Sequence, residues 1–271
     1  MLYGVLPEKI DLRDFRVCSS NVSTFYPEEF KLKNLPKVKN QGSVNSCCPH
    51  ATSSLLEYYD NNKHVLSTNF FYGIQKKVCY HSGQGMYLKD ACKIASKYGD
   101  MLEVDCPGNT EVPECRKVAE ASFADSKKRV EALKYKIKSY YSCRSSGDIK
   151  YALMKYGPVL GAVCWYERYQ LVNNVIKFNT NSLSGLHAIL IVGWNKEGWI
   201  VQNSWGTTFG DKGRFILPFE YGVREAKVMI DSTVADNALV TPSNNNKLSD
   251  SLYKAINWLL NVVKCQRKTI Y

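Results

Sequence analysis

The sequence predicts an α+β chain with a mainly helical first half and a β-rich second half, and three observations carry that reading. From Ala51 through Leu55, Leu56, Tyr58 and Tyr59, apolar residues recur at helical spacing. Leu88, Ala91, Cys92, Ala95 and Tyr98 repeat the pattern, and Gly99 closes it as glycine does just past a helix end. Beyond Gly157-Pro158 the pattern changes to short apolar, β-branched and aromatic runs: Val159–Tyr166, Val175–Phe178, His187–Trp194, Trp199–Asn203, Arg214–Leu217 and Ala226–Ile230.

At 271 residues and 45% hydrophobic content the chain can bury one large core or two small ones. Its longest apolar runs, Pro158–Trp165 and Ala188–Trp194, fall far short of the roughly 18 residues a bilayer span needs, so no membrane span is expected. Met1–Glu8 lacks the basic-then-apolar order of a cleaved leader. The net charge of +11 gathers partly in Lys127, Lys128, Arg129, Lys134, Lys136 and Lys138, and again in Lys264, Arg267 and Lys268. Glu120, Asp125 and Glu131 interrupt the first group and no nucleic-acid motif accompanies it. The charge therefore reads as a solvated surface, and nucleic acid is not an expected partner.

In chain order, residues 1–40 read as an N-terminal extension and entry loop, of which Phe15–Asn40 is a plain surface loop by default or else a partial cover for the cleft. Residues 41–146 form the helical half and 147–231 the β-rich half. Within the latter, Gly147–Met154 is a short helix stopped at Gly157-Pro158. Residues 232–247 are a Ser-, Thr- and Asn-rich linker. Residues 248–264 then set Leu252, Ala255, Ile256, Leu259, Leu260 and Val263 on one helical face. That helix docks on the body by default; an anchor for a partner or for autoregulation is the sharper alternative.

The chemistry centres on Gln41-Gly42-Ser43-Val44-Asn45-Ser46-Cys47-Cys48-Pro49-His50-Ala51, a turn-rich approach delivering Cys47 to a helix start, where the dipole and unpaired amides favour the thiolate. Pro49 suits the first turn, whose amide would lack a partner anyway. A lone cysteine is more often a core residue. His187 opens one strand, however, and Asn203 ends its antiparallel partner. Nucleophile, base and a group to orient the base are thus all present.

Gln41 precedes Cys47 by six residues, His187 follows it by 140, and Asn203 follows the histidine by 16. Together with Asn203-Ser204-Trp205-Gly206 and Gly210-Asp211-Lys212-Gly213, these spacings resemble the papain-like, cathepsin-type (C1) cysteine peptidases over about Asp11 to Asp231. The resemblance implies a helical wall and a β-barrel-like wall with a cleft between them. It implies Cys47 as nucleophile in a thiolate–imidazolium pair with His187, Asn203 orienting that ring, Trp205 shielding the contact and Gln41 completing an oxyanion hole. Gly83-Gln84-Gly85-Met86 stands at the family's glycine strip, so Gly85 and Met86 are expected to bind substrate, with the Met86 side chain either narrowing the cleft or forming a hydrophobic contact. The implied reaction is peptide-bond hydrolysis through an acyl-enzyme, on a protein or peptide substrate and without a cofactor. Two other readings stay open: a catalytically impaired peptide- or partner-binding protein, and a thiol-dependent acyl transferase or deamidase.

The departures from the family pattern carry their own expectations. Val44-Asn45-Ser46-Cys47-Cys48 keeps two of the five residues of the usual Cys-Gly-Ser-Cys-Trp. Asn45 would serve where glycine's positive φ is needed, and Cys48 leaves a smaller wall and a second thiol. Val44 and Gly83 replace both halves of one family disulfide, which leans toward a reducing, intracellular or virion-associated setting, while Cys79 and Cys115 keep a second bridge open. The long helical propeptide has no counterpart before Asp11, which aligns the chain with bacterial and large-DNA-virus members and leaves an N- or C-terminal segment as the candidate autoinhibitor. His50 reads as a structural histidine, because i to i+3 on one helix does not favour in-line proton transfer to Cys47. No cysteine pair has zinc spacing, so no metal is expected. Asn21-Val22-Ser23 is a glycosylation acceptor only on a secretory route.

Overall fold

The structure is a computed structural model that describes residues 4–8, 17, 25–81 and 83–231. The expectations for Asp11–Asp14, Asn21–Ser23 and the linker and helix of 232–271 lie outside these residues.

The described chain runs β1 (Phe30–Lys31), α1 (Cys47–Tyr59), α2 (Thr68–Cys79), α3 (Leu88–Lys97), α4 (Glu114–Ala124), α5 (Ser126–Ala132) and β2 (Ser139–Ser142). It continues with α6 (Ser146–Tyr156), β3 (Val159–Tyr166), β4 (Tyr169–Val172), β5 (Val175–Phe178), β6 (Leu183–Trp194), β7 (Gly198–Gln202), β8 (Arg214–Pro218) and β9 (Glu225–Ile230). The strands form one sheet in the order β2-β9-β3-β6-β7-β8-β5-β4, with β1 added to β6. The architecture is the α+β one expected. His187 sits inside β6, opposite Val163, rather than at its start, because the strand begins four residues earlier at Leu183.

Strand alternation builds two cores from one sheet. Leu160, Ala162, Ala188, Leu190 and Val192 pack with Leu55, Leu56, Phe70 and Ile94 of the helices. The intervening Val159, Val163, Trp165, Ile189 and Ile191 pack with Val201, Phe215 and Leu217 on the opposite face. Burying one Leu or Ile contributes roughly 1.5–3 kcal/mol, so this alternation fixes the register that sets β6 against α1. The second pair of helices, α4 and α5, lies in mixed-charge sequence. There the helix start is set by Asp125, whose carboxylate accepts the Lys127 and Lys128 amides.

The eight described cysteines, Cys79 and Cys115 among them, are all free thiols, so the second family bridge is not formed. Asn45 is not among the residues with positive φ; its side chain instead donates to Gln84 Oε1 at 3.1 Å.

Candidate active site

Helix α1 starts at Cys47, and the first helical bond runs from the His50 amide to the Ser46 carbonyl at 3.0 Å. Twelve of its thirteen residues are buried, so the helix is held by packing, and Cys47 is fixed where α1 meets β6. The Ala188 amide, next in chain to His187, donates to Cys47 Sγ at 3.4 Å. Cys47 and the strand residue next to His187 are thus brought together from 141 positions apart in the chain.

His187 Nε2 lies 2.7 Å from Asn203 Oδ1, which also accepts the Ser204 amide at 2.9 Å. An atom that accepts a backbone N–H must be the amide oxygen, so Nε2 is the donor and Nδ1 is the basic nitrogen of the neutral ring. Trp205 and Trp165 pack on the ring at centroid distances of 4.9 and 5.0 Å, and His187 and Asn203 are both buried. Gln41 is buried. It spends one Nε2 hydrogen on the Val44 carbonyl at 2.9 Å, and its Oε1 accepts the Ser204 hydroxyl at 2.6 Å. The second hydrogen of that amide is a donor oriented by both bonds.

The strip Gly4–Glu8 lies in this cleft. The Leu6 amide donates to the Met86 carbonyl at 3.1 Å, the Met86 amide to the Gly4 carbonyl at 2.7 Å, and the Val5 amide to the Leu186 carbonyl at 3.3 Å. Val5 pairs in parallel with Met86 and is buried in the helical-side core. Gly85 takes φ +81°, and a Cβ there would lie 3.0 Å from the Gly4 oxygen. Met86 meets the strip through its backbone, while its side chain is wholly buried in that core, the hydrophobic contact of the two expected alternatives. Neither thiol of the Cys47-Cys48 pair reaches solvent.

Electrostatics follow from this cover. Burial pushes the Cys47 thiol up from its ordinary 9.0 to about 11, against weaker opposing hydrogen bonds from the Ala188 and Gly4 backbone. Burial also brings His187 down from 6.5 to about 4, with the Asn203 bond opposing. The lowered thiol pKa expected from the helix dipole is overturned here. Desolvation is the largest cause at each, and both groups favour their neutral forms. His50, lowered to about 4 by burial, bonds Ser46 O at 2.8 Å, a structural contact. Among the described residues no group of His, Cys, Asp or Glu has a metal-binding arrangement, and no helix is long and apolar enough to cross a membrane.

Sequence reasoning missed Gly4, Val5 and Glu8 in the cleft, Ser204 as the clamp on Gln41, and Trp165 beneath the imidazole. Trp165 lay in a strand already read, and its inward alternation was the usable signal.

Helices against a large sheet, with a cysteine, histidine, asparagine and glutamine converging where they meet, define the class of cysteine-protease folds. A family profile described as papain family cysteine protease matches residues 26–233, and the chain belongs to that family. Cathepsin B-like cysteine proteinase 3 of Caenorhabditis elegans is 32% identical over 120 residues, which is 41% of this chain and 31% of the nematode protein. Cathepsin B-like cysteine proteinase 2 of Haemonchus contortus is 27% identical over 143 residues, 48% of this chain and 41% of that protein. The matches thus span less than half the length of these relatives. Among solved structures, xylellain, a cysteine protease from Xylella fastidiosa, superposes with a TM-score of 0.72 at 26% identity, covering 84% of this chain and 96% of that one. The proCathepsin B S9 of Trypanosoma congolense shares the fold with a TM-score of 0.67 at 19% identity, over 84% of this chain and 86% of that one.

Proposed function

We propose that the protein is a cysteine endopeptidase whose cleft is closed by its own Gly4–Glu8 strip. The observation that carries the reading is the meeting of Cys47 with the His187–Asn203 pair, supported by the oriented Gln41 amide. When the strip leaves, water and the helix dipole favour the Cys47 thiolate and the His187 imidazolium. Sγ then attacks the scissile carbonyl carbon, and the Cys47 amide and the second Gln41 N–H stabilise the oxyanion. His187 Nδ1 gives its proton to the leaving amine, and water hydrolyses the acyl-enzyme. Asn203 orients the ring and Trp205 shields it, while the Gly85–Met86 backbone holds the substrate in extended form.

The strip itself is not offered for cleavage. The group it turns toward Sγ is the Gly4 backbone donor, not a carbonyl carbon. We place the chain nearer the bacterial and large-DNA-virus members than the lysosomal ones, a kinship supported by the match over 96% of the Xylella chain. The raised Cys47 pKa favours a second reading, a peptide-binding papain fold without turnover.

The test is titration with an epoxide inhibitor of papain-type enzymes, with the adduct located by peptide mass spectrometry beside a Cys47→Ala control. A stoichiometric adduct on Cys47 and hydrolysis of a fluorogenic peptide are expected after the strip is displaced by substitution. Absence of both in a protein with an open cleft favours the binding module.

A further inference from the structure

At the far end of the strip the Glu8 carboxylate is held at both oxygens. Oε2 lies 3.3 Å from Lys227 Nζ, and Oε1 accepts the Lys89 amide in the first turn of α3. Lys227 is 5% exposed, and its ammonium also donates to Ser142 Oγ at 3.0 Å. Beside them Glu225 Oε1 accepts the Glu8 amide at 2.9 Å. A buried ammonium and a helix N-terminal amide converging on one carboxylate form a recognition site for an acid, and Glu225 supplies an acceptor for the main chain that carries it.

We propose that this is an acid-selective substrate subsite. Once the strip vacates the cleft, Lys227 and the α3 N-terminus bind the side-chain carboxylate of a glutamate or aspartate in the peptide substrate, and Glu8 is the internal mimic of that residue. The proposal rests on the endopeptidase reading for its substrate. The strip runs along Met86 from the thiol at Gly4 to Lys227 at Glu8. At about 3.3 Å per residue, an extended peptide on the same track brings its third or fourth residue from the reacting carbonyl to the same point. The Coulomb attraction acts there away from bulk water, and a glutamine in the same position would forfeit it. A lysine would meet the Lys227 ammonium directly.

The experiment uses the full chain carrying Val5→Asp to release the strip and Glu8→Ala to vacate the carboxylate site, neither touching Cys47, His187, Asn203 or Gln41. Fluorogenic peptides with a single Glu, Gln or Lys walked across positions on both sides of the scissile bond are compared by kcat/KM. The same peptides are compared by fluorescence anisotropy on the Val5→Asp, Glu8→Ala, Cys47→Ala protein. At one position the Glu peptide is expected to exceed Gln at least tenfold and Lys by more, and Lys227→Gln is expected to erase the ratio. Equal kcat/KM for Glu, Gln and Lys at every position overturns the subsite and leaves the endopeptidase reading standing. If no peptide is cleaved, that reading fails and anisotropy decides: tighter binding of the Glu peptide sustains the subsite, and equal or absent binding overturns it. The selectivity of the Val5→Asp, Glu8→Ala protein is decisive even if Lys227→Gln does not fold.

Discussion

Replacing Val5 with aspartate is expected to open the cleft and ionise Cys47. Val5 is 4% exposed and packs in the core beneath the strip, where its apolar burial contributes roughly 1.5–3 kcal/mol to closure. An aspartate there forfeits that contribution and adds the cost of an unpaired carboxylate among Met86, Ala162 and Ala188, a further several kcal/mol. The strip's backbone bonds to Met86 and Leu186 contribute about 1 kcal/mol net apiece, so closure loses. Release exposes Sγ to water and at most removes the burial that moves Cys47 from 9.0 to about 11, a difference of two units. Two units correspond to about 2.7 kcal/mol, or a rise in thiolate fraction near neutrality from ~10⁻⁴ to ~10⁻². The assay is the rate of iodoacetamide alkylation at neutral pH, with modified peptides assigned by mass spectrometry and Cys48, wholly buried, as the internal reference. A rise of about 100-fold on Cys47 alone is expected. An unchanged Cys47 rate in a Val5→Asp protein with native circular dichroism refutes the claim that the strip controls the thiol.

Closure should also depend on pH. His187 is held down near 4 from 6.5, so the closed state's advantage is complete above 6.5 and is lost as pH falls toward 4. Cys47 is held up near 11, so its share is complete below 9.0 and is lost as pH rises toward 11. Hydrogen-exchange protection of the Val5 and Leu6 amides should therefore peak between these limits, and flat protection down to pH 4 would contradict the assignment. Gln41→Ala, which removes an oxyanion donor and the clamp to Ser204, should lower kcat by about 10²–10³ in an opened protein, measured on a fluorogenic peptide. Asn203→Ala frees the His187 ring and should cost on the order of 10² in kcat/KM, with a shifted acid limb in the pH profile. Lys39→Met strands Glu57, which it pairs with at 2.7 Å under near-complete burial, and should cost about 3–5 kcal/mol in urea unfolding.

The helices and strands legible in the sequence were those with one clear period. Leu88–Lys97 and Val159–Tyr166 were readable because the α3 stripe and the apolar run behind Gly157-Pro158 are each bounded by a glycine signal. The helices Glu114–Ala124 and Ser126–Ala132 were not, since their charges face solvent and their few buried residues, such as Cys115, Ala119 and Ala132, leave no continuous stripe. At the site, Cys47, His187, Asn203 and Gln41 could be picked out by spacing. Their protonation could not, because it depends on what covers them. The dipole at a helix start is a local property of the sequence, whereas desolvation by burial is a tertiary one, and burial is the largest cause acting on Cys47.

The closing strip and the cleft are fitted to each other at the level of single atoms, which argues that closure is a designed state of the fold. A side-chain carbon on Gly4 would lie 2.0 Å from the Asn45 carbonyl oxygen, so only glycine can pass there. Asn45, the departure that the sequence suggested was a conformational substitute, is held by Gln84 and by the Glu111 carboxylate that accepts its amide. The same Glu111 takes the Tyr72 hydroxyl at 2.7 Å, and that oxygen in turn accepts the Gly85 amide at 3.1 Å. One chain of hydrogen bonds therefore joins the residue beneath Gly4 to the turn that presents Met86 to Leu6. Glu8 anchors the other end through a charge pair. It follows that, among the described residues, the contacts which close the cleft are distributed along the backbone of Gly4, Val5, Leu6 and Glu8, the apolar side chain of Val5 and the Glu8 carboxylate. Loss of Glu8 alone should empty the carboxylate site and weaken the strip, whereas loss of the apolar anchor at Val5 should release it.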